Sequence, residues 1–409
     1  MTATILGVRS GALGDVLLGI PSWQAIRRAN PSASIVVAAP SGPAQFIASS
    51  VPRPLRIIRP DSQSIADLYL GGDGPAQNDG NYRSAEVQGI DWASVTHAVV
   101  WTQSGLAIAD RLKARGVGCV VVAPPFPPAG TRTHVSEWLA STIEPLGGAL
   151  PEGWDASAWI MPPGLGSPLD DQWSRTEAFA GGRFVVVHPG SGSVRKCWPA
   201  LSWHALIRDL VGQGYKVMVL EGEADGAAVE AITSAMSPQT VRVIRGRSLA
   251  DVARLFADAC GVIANDSGIA HLAAGLGVPT VAIFGPTDPA VWRPRGPNVR
   301  VCGGTPGASW PHHAAPSPDL HTLRLAHAAP SPDLHTLRLA HPAPSPDLLT
   351  VRSAHAAPSP DLHTVRSAQS SPSTDLGALP NTGPVAPEDV IWPKVDEVIA
   401  AISEVFTLG

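Results

Sequence analysis

The amino-acid sequence predicts an α/β protein with two doubly wound domains, each built around a parallel sheet. Short apolar runs alternate with stretches of helical periodicity, which is the pattern of successive βαβ units. The alternation occurs in two series, one before residue 151 and one after residue 183. The chain also has 409 residues, which is more than one hydrophobic core usually organises.

The first series begins near the N-terminus. Apolar side chains recur at helical spacing in residues 16–29, which predicts the first helix. The runs that predict strands are ATILGV, SIVVAA, HAVVW and GCVVVAP. Between the first strand and the first helix, two glycines, Gly11 and Gly14, precede Asp15. A carboxylate at this place can cap the helix, and it is also a candidate reactive group.

The second series predicts five further strands with helices between them. The strand-forming runs are FVVVHPG, KVMVLEG, VRVIRG, GVIAND and TVAIFGP. Helices are predicted near residues 203–213 and 227–235. Residues 151–182 are rich in Pro, Gly and Trp without a clear period, so we expect them to link the two domains.

A tandem repeat occupies residues 312–379. The sequence SPDL recurs every 14 residues, at Ser317, Ser331, Ser345 and Ser359. Units of known solenoids are mostly longer, and a Pro-x-Pro in each unit would interrupt a helix. We therefore predict a disordered insertion in a surface loop. The alternatives are a solenoid or binding stalk, or weak metal binding by the histidines of the repeat.

Helical periodicity returns after the repeats. Val395, Val398 and Ile402 lie on one apolar face, so the last helix is predicted to complete the fold. The predicted organisation is an N-terminal domain (1–165), a second domain (166–304), the repeat insertion (305–384) and the C-terminal helix (385–409).

Composition argues against several classes of function. The formal net charge of -5 provides no broad basic surface and argues against a nucleic-acid partner. No apolar stretch has the length of a membrane span, and charges interrupt the N-terminal apolar segment, so we expect a cytoplasmic protein. The cysteines are widely spaced, which predicts reduced thiols and no metal site. They are Cys119, Cys197, Cys260 and Cys302.

The segment HPGSGSVRKCWP, residues 188–199, is a candidate phosphate-binding loop. It follows an apolar strand and precedes a helix, so it offers backbone amides, hydroxyls and a positive helix end. The candidate ligands are Ser191, Gly192, Ser193 and Lys196. An ordinary glycine-rich turn is the alternative, and the GxxxxGK[ST] pattern of a P-loop is absent.

A second candidate lies in NDSGIAHLAAGLGVPTVAIFGPTDP. Asp266 ends a predicted strand, Ser267 and Gly268 open a helix, and His271 follows one turn later. These groups are expected to converge at the carboxyl end of a strand, where open α/β sheets bind ligands. A simple helix cap is the alternative for Asp266, but it does not account for His271.

Three carboxylates follow the strand KVMVLEG, namely Glu221, Glu223 and Asp225. A carboxylate at this place is suited to accept hydrogen bonds from ribose hydroxyls. Glu223 is our candidate, although the sequence does not decide among the three. A solvated loop charge is the alternative for the others.

These motifs together resemble glycosyltransferase family 9, the heptosyltransferases of lipopolysaccharide inner-core synthesis. The resemblance is carried by HPGSGS with K.WP, by NDSG with HL, by FGPTDP and by GALGDVLLGIP. It implies a GT-B fold, in which two Rossmann-like domains face a cleft. The acceptor would lie mainly on residues 1–165 and the nucleotide sugar on residues 166–304, with the last helix crossing back to the first domain.

The resemblance also implies an inverting, metal-independent transfer of a sugar, typically heptose from ADP-heptose, to a hydroxyl of a lipid-linked glycan. Asp15 would take the proton from that hydroxyl, and Gly11 and Gly14 would let the sugar approach the backbone. The donor-binding residues would be Ser191, Gly192, Ser193, Lys196, Glu223, Asp266, Ser267, Gly268 and His271. No cofactor is implied beyond the nucleotide sugar, and the chain contains no Asp-x-Asp sequence.

Other functions stay open at this point. One is transfer from a different nucleotide sugar, and another is a non-catalytic nucleotide-sugar-binding or scaffold protein. A dehydrogenase is disfavoured because GxGxxG is absent. Cys197 after the lysine departs from the family pattern and would alter nucleotide contacts without abolishing them. The arginines of the first domain are scattered rather than clustered, which leaves the acceptor undefined. A lipid-linked acceptor implies contact with the inner face of the cytoplasmic membrane.

Overall fold

Two parallel β-sheets organise the described part of the chain in the computed structural model. The structure describes residues 3–9, 11–70, 89–103, 105–163, 183–308 and 390–406. All of these residues belong to one compact unit. The repeats lie outside the described residues, so the predicted disordered insertion stays a prediction, as do the predicted domain boundaries.

The N-terminal half, residues 3–163, contains a five-stranded parallel sheet in the order β3-β2-β1-β4-β5. Its strands are β1 (Thr4–Val8), β2 (Ser34–Ala38), β3 (Leu55–Ile58), β4 (Val95–Trp101) and β5 (Cys119–Ala123). Its helices are α1 (Leu13–Leu18), α2 (Ile20–Ala29), α3 (Ser41–Ser50), α4 (Gln63–Leu70), α5 (Gly105–Ala114) and α6 (Val135–Thr142). The register of β1 against both neighbours is parallel, which confirms the predicted βαβ organisation.

The first predicted helix is in fact two. The structure breaks the predicted span 16–29 at Gly19, which lies between α1 and α2. Pro21 occupies the first turn of α2, where a missing backbone N–H costs no helical hydrogen bond. The prediction of one continuous helix was therefore wrong, and α1 is a short separate helix that begins at Leu13.

The C-terminal half, residues 183–308 and 390–406, contains a six-stranded parallel sheet in the order β11-β10-β9-β6-β7-β8. Its strands are β6 (Phe184–His188), β7 (Lys216–Leu220), β8 (Val241–Ile244), β9 (Gly261–Asn265), β10 (Thr280–Phe284) and β11 (Val299–Gly303). Its helices are α7 (Ala200–Gly212), α8 (Gly226–Thr233), α9 (Leu249–Asp258), α10 (Gly268–Gly275), α11 (Pro289–Trp292) and α12 (Val395–Phe406). The five strands predicted for this series are all present.

The last helix packs on the second sheet. A Cβ on Gly261 of β9 would overlap the ring of Phe406 in α12, so the missing side chain makes room for that ring. The apolar face of α12 joins one hydrophobic cluster with β6, β7 and α7. The resemblance implied that this helix crosses back to the first domain. Its described residues instead cover the C-terminal half, because that is where their apolar face is buried.

The two halves share a hydrophobic cluster that contains residues from one face of each sheet. Trp159 and Ile160 lie in it, and both backbone N–H groups donate to the Gly275 carbonyl oxygen at 2.9 Å. The described part of the predicted linker, residues 151–163, is therefore an ordered connection packed against α10. Within the described ranges, no helix has both the length and the apolar character needed to cross a membrane.

Candidate functional site

Side-chain hydrogen bonds hold the loop after β6 against the end of β9. The Ser191 hydroxyl donates to the Asp266 carbonyl oxygen over 2.7 Å. The buried Asn265 side chain donates from Nδ2 to the Pro189 carbonyl at 2.5 Å, and its Oδ1 accepts from the Trp198 backbone N–H at 3.1 Å. Asn265 was not among the predicted site residues, although it ends a predicted strand. Its two hydrogen bonds hold the loop after β6 beside the end of β9, so the two candidate segments lie at one edge of the second sheet.

Lys196 and Asp266 form an ion pair at this edge, with Nζ and Oδ2 2.9 Å apart. Thr287, in the segment after β10, donates from Oγ1 to the same carboxylate oxygen at 2.8 Å. The Lys196 ammonium also lies 5.8 Å from the centre of the Trp292 ring in α11. The structure thus brings together two predicted site residues. It adds Thr287 and Trp292, which were not predicted. FGPTDP did not show which of its residues faces the site, and Trp292 lies beyond that motif.

The start of α10 lies beside this ion pair and carries two buried polar atoms. The Ser267 hydroxyl, at the N-cap, has no hydrogen-bond partner among the described residues. Nδ1 of the buried His271, one turn into the helix, also has none within that part of the chain. Burial lowers the pKa of His271 to about 4, so the imidazole is neutral at pH 7. Such unpaired buried groups are uncommon and mark a candidate ligand contact.

Helices α1 and α10 approach each other through two glycines. A Cβ at Gly268 would lie 2.8 Å from the Gly14 backbone nitrogen, and a Cβ at Gly14 would lie 3.2 Å from Cδ2 of His271. The close contact between the helices therefore requires glycine at position 268, and a side chain at position 14 would fit only if His271 moved. Gly14 faces the C-terminal half here, and its predicted role toward a sugar stays a prediction.

Asp15 caps α1. Its Oδ2 accepts a hydrogen bond from the Ala12 backbone N–H at 2.9 Å, and its carbonyl oxygen accepts one from Nε of Arg9 at 2.6 Å. Gly11 has a φ of +145°, and a Cβ there would lie 2.6 Å from the Asp15 side chain. The cap is thus present, and Gly11 is needed for it. Arg9 is fully buried, which lowers its pKa to about 10 although the Asp15 charge opposes this effect.

The three carboxylates after β7 differ in their partners. Both oxygens of Glu221 accept from Nε of Arg245 at 2.9 Å. Asp225 accepts from the Gly222 backbone N–H at 3.0 Å and lies where a Cβ on Gly190 would stand. Glu223 is exposed, and the described residues give it no hydrogen bond or ion pair. Glu221 and Asp225 therefore already hydrogen-bond to other groups of the protein, while the role of Glu223 toward a ribose stays a prediction.

The remaining predicted residues lie on the loop after β6. Gly192 borders open space, and the Ser193 carbonyl oxygen accepts from the Lys196 backbone N–H at 2.9 Å. The Ser193 carbonyl thus closes the short 3-10 turn that carries Lys196. Across the described residues, no group of three or more His, Cys, Asp or Glu side chains is arranged to hold a metal ion.

Comparison with known proteins extends this account. Residues 132–315 match the family model of glycosyltransferase family 9 (heptosyltransferase). The chain is 33% identical over 129 residues to lipopolysaccharide heptosyltransferase 1 of Pseudomonas aeruginosa, covering 32% of this chain and 36% of that protein. It is 28% identical over 175 residues to lipopolysaccharide heptosyltransferase 3 of Escherichia coli K12, covering 41% and 48%. The aligned segments span between about a third and a half of these relatives.

Solved structures share the two-sheet fold. The E. coli ADP-heptose lipopolysaccharide heptosyltransferase II superposes with a TM-score of 0.53 at 19% identity, over 74% of this chain and 90% of that one. The E. coli heptosyltransferase WaaC with ADP gives 0.51 at 20% identity, over 74% and 94%. The class is therefore an α/β protein with the fold of these heptosyltransferase structures. Residues 132–315 therefore form a region of glycosyltransferase family 9 type.

Proposed function

We propose that this chain is an inverting, metal-independent glycosyltransferase that moves heptose from ADP-heptose to a hydroxyl of a lipopolysaccharide-core-like or other glycan acceptor. One observation carries the proposal. The Lys196–Asp266 ion pair lies beside two unpartnered buried polar atoms at the start of α10, where α1 brings Asp15 into the same region. The match of residues 132–315 to glycosyltransferase family 9 supports it, and so does the shared fold with a heptosyltransferase solved with ADP.

The donor diphosphate is assigned to the start of α10 and the loop after β6. The Lys196 ammonium supplies the positive charge, and the Ser267 and Gly268 amides at the N-terminus of α10 supply N–H donors. The Ser193 hydroxyl completes this set, while the Ser191 hydroxyl donates to the Asp266 carbonyl oxygen and holds the loop in place. Glu223 is assigned to the ribose. These groups stabilise the charge that develops on the leaving diphosphate, which is the work a metal ion would otherwise do.

The donor sugar is assigned to Asp266 and His271. Oδ2 of Asp266 already accepts from Lys196 and Thr287, which leaves Oδ1 to accept from sugar hydroxyls. Burial lowers the pKa of neutral His271, which lies close enough to Asp266 for the carboxylate charge to oppose this effect, and its Nδ1 has no partner among the described residues. Both side chains are buried, so hydrogen bonds to the sugar would be made away from competing water.

Asp15 is assigned the role of general base. The acceptor hydroxyl gives its proton to the Asp15 carboxylate while its oxygen attacks the anomeric carbon of the donor. The bond between that carbon and the diphosphate oxygen breaks, and the electron pair leaves with ADP. Attack from the face opposite the leaving group inverts the anomeric configuration. A lipid-linked acceptor would bring the protein to the inner face of the cytoplasmic membrane.

The test is the transfer rate of Asp15→Asn with ADP-heptose and a heptose-deficient lipopolysaccharide core. Asparagine keeps an oxygen that can accept from the Ala12 N–H, so the α1 cap persists while the base is lost. We expect kcat to fall by about 10²- to 10⁴-fold. The affinity for ADP should change little, since Asp15 lies outside the donor-binding edge.

Asp251→Asn is the matched control, because Asp251 also lies in the first turn of a helix, α9, away from the site. It should keep wild-type turnover. Full activity of Asp15→Asn would contradict the role of Asp15. Donor binding without any ADP release by the wild type would instead favour a non-catalytic nucleotide-sugar-binding protein.

A further inference from the structure

Arg132 ties the N-terminal half to the segment that follows β10. It lies between β5 and α6, and its guanidinium donates from Nε and Nη2 to the two carboxylate oxygens of Asp288 at 2.9 and 3.4 Å. The Arg132 side chain is 58% exposed, whereas that of Asp288 is 1% exposed. A bidentate salt bridge of this kind fixes the orientation of the two side chains as well as the distance between them. It therefore sets how the N-terminal half docks on Asp288.

Backbone N–H groups of the C-terminal half hold the Asp288 carboxylate in place. As the N-cap of α11, its carboxylate accepts from the Ala290 N–H at 2.9 Å, and it also accepts from the Gly307 N–H at 2.7 Å. Burial acts to raise the pKa of Asp288, but the bonds from Arg132 and the two amides outweigh burial and lower it. The carboxylate is thus an anion at neutral pH whose bonds come from both halves.

The preceding residue connects Asp288 with the candidate donor site. Thr287 is fully buried, and its Oγ1 donates to Oδ2 of Asp266. The same oxygen contacts Nζ of Lys196. Adjacent residues of one short segment therefore hold the N-terminal half and Asp266. Any shift of that backbone changes both contacts together.

The C-terminal end of α11 also contacts both the N-terminal half and the candidate donor site. The Trp292 ring packs against the Phe126 ring of the N-terminal half, with centroids 5.1 Å apart. The Lys196 ammonium lies 5.8 Å from the centre of the same Trp292 ring. The segment from Thr287 to Trp292 thus touches both members of the ion pair on one side and the N-terminal half on the other.

We infer that Arg132 and Thr287 are positioning residues for transfer, because docking of Arg132 on Asp288 sets the orientation of the Asp266 carboxylate through Thr287. The inference rests on the proposed function for the assignment of Asp266 to the donor sugar. It implies that sugar binding depends on Arg132, although that residue belongs to the other half. Nucleotide binding depends less on Arg132, because Lys196 lies on the separate loop after β6.

The experiment compares ADP with ADP-heptose by calorimetric titration of the full chain. Thr287→Val keeps the side-chain shape but removes the hydroxyl, Thr287→Ser keeps the hydroxyl, and Arg132→Gln removes the forked bond. We expect Thr287→Val and Arg132→Gln to lose little affinity for ADP and to bind ADP-heptose about tenfold more weakly, the typical effect of losing one hydrogen bond to a buried group. Thr287→Ser should keep most of the wild-type affinity for ADP-heptose.

Glu137→Gln is the matched control for Arg132→Gln. Glu137 in α6 accepts from Nη2 of Arg295 at 2.5 Å, which is another ion pair between the halves without a connection to Thr287. This variant should leave both affinities unchanged. The inference would be overturned if Arg132→Gln lost the same affinity for ADP as for ADP-heptose. It would also be overturned if Arg132→Gln and Glu137→Gln changed the affinity for ADP-heptose equally.

Hydrogen exchange on the protein alone separates this inference from the proposed function. The backbone amides of residues 265–271 should exchange faster in Arg132→Gln and Thr287→Val than in the wild type and Glu137→Gln. If the wild type binds neither adenine ligand, the proposed function fails while this comparison still decides the coupling. Unchanged exchange in both variants would overturn it.

Discussion

At the residue scale, His134 shows how a titratable side chain becomes part of the contact between the halves. It caps α6, with Nδ1 accepting from the Ser136 backbone N–H at 3.2 Å, and its Nε2 donates to the Arg293 carbonyl oxygen at 2.9 Å. Burial, reinforced by the Arg295 charge, lowers the pKa of His134 to about 3. The ring is therefore neutral in the folded protein, and protonating Nδ1 would break the cap.

A prediction follows for the pH dependence of stability. Because the unfolded His134 titrates near its usual pKa of about 6.5, the unfolded state binds more protons below that pH. The stabilisation is complete above pH 6.5 and is lost as the pH falls toward 3. In His134→Asn, which keeps a cap acceptor, the free energy of unfolding should fall less steeply with acid, by up to about 1.4 kcal/mol per pH unit.

Urea denaturation from pH 8 to pH 4.5 measures this effect. The stability difference between wild type and His134→Asn should be constant above pH 7.5 and shrink below pH 6. His271, whose pKa burial lowers to about 4, contributes in the same direction in both proteins. Parallel curves over the whole range would contradict the account of His134.

Individual residues were only partly predictable from the sequence. Lys196 and Asp266 were recognised because charged groups follow apolar strands, and the structure pairs them. Thr287 lies within FGPTDP, but the motif did not show which of its residues contacts Asp266, and Arg132 carries no local signal, since an exposed arginine is common. Their roles depend on contacts between segments distant in sequence, which no periodicity encodes.

At the element scale, α12 seals one face of the second sheet. Phe406 is buried over Gly261, and the Trp392 ring, just before α12, occupies the space beside Gly285. The glycines allow these large rings to lie directly on the strands. The helix is thus part of the core of the C-terminal half, although the repeats separate it from that half in sequence.

Phe406→Ala should therefore destabilise the protein by about 3–5 kcal/mol, because it removes a buried ring and leaves a cavity against the sheet. The midpoint of urea denaturation measures the loss. Ile391→Ala is the control, since this side chain is 84% exposed, and its effect should stay within about 0.5 kcal/mol. A wild-type midpoint for Phe406→Ala would show that α12 does not stabilise the sheet.

Two edge strands, β3 and β11, were not predicted from the sequence, whereas the edge strands β5 and β8 were. β3 and β11 lie at the edges of their sheets, and neither has the continuous burial of the central strands. Central strands are buried on both faces and stand out as apolar runs, whereas a half-exposed edge strand mixes polar and apolar residues. The two omissions therefore follow from the weak apolar pattern of these half-exposed strands.

At the scale of the whole molecule, the two halves meet through a shared hydrophobic cluster and several polar contacts. The alternation of strands and helices predicted both sheets, but it did not predict how they meet. The arrangement depends on close contacts such as Gly14 with Gly268 and on the packing of Trp159 beside Gly275. These contacts bring Asp15 and the Lys196–Asp266 pair into one region, which is the basis of the proposed function.

Calorimetric titration with ADP, ADP-heptose and a UDP-sugar, without divalent metal, tests the central claim most directly. We expect both adenine ligands to bind the wild type and Lys196→Ala to weaken both by about tenfold or more, because a charge-assisted contact to the diphosphate is lost. Arg195→Ala, which removes the exposed neighbouring cation of the same turn, is the control and should lose far less affinity. Absence of metal-free binding, or a clear preference for the UDP-sugar, would contradict the assignment of this site to ADP-heptose.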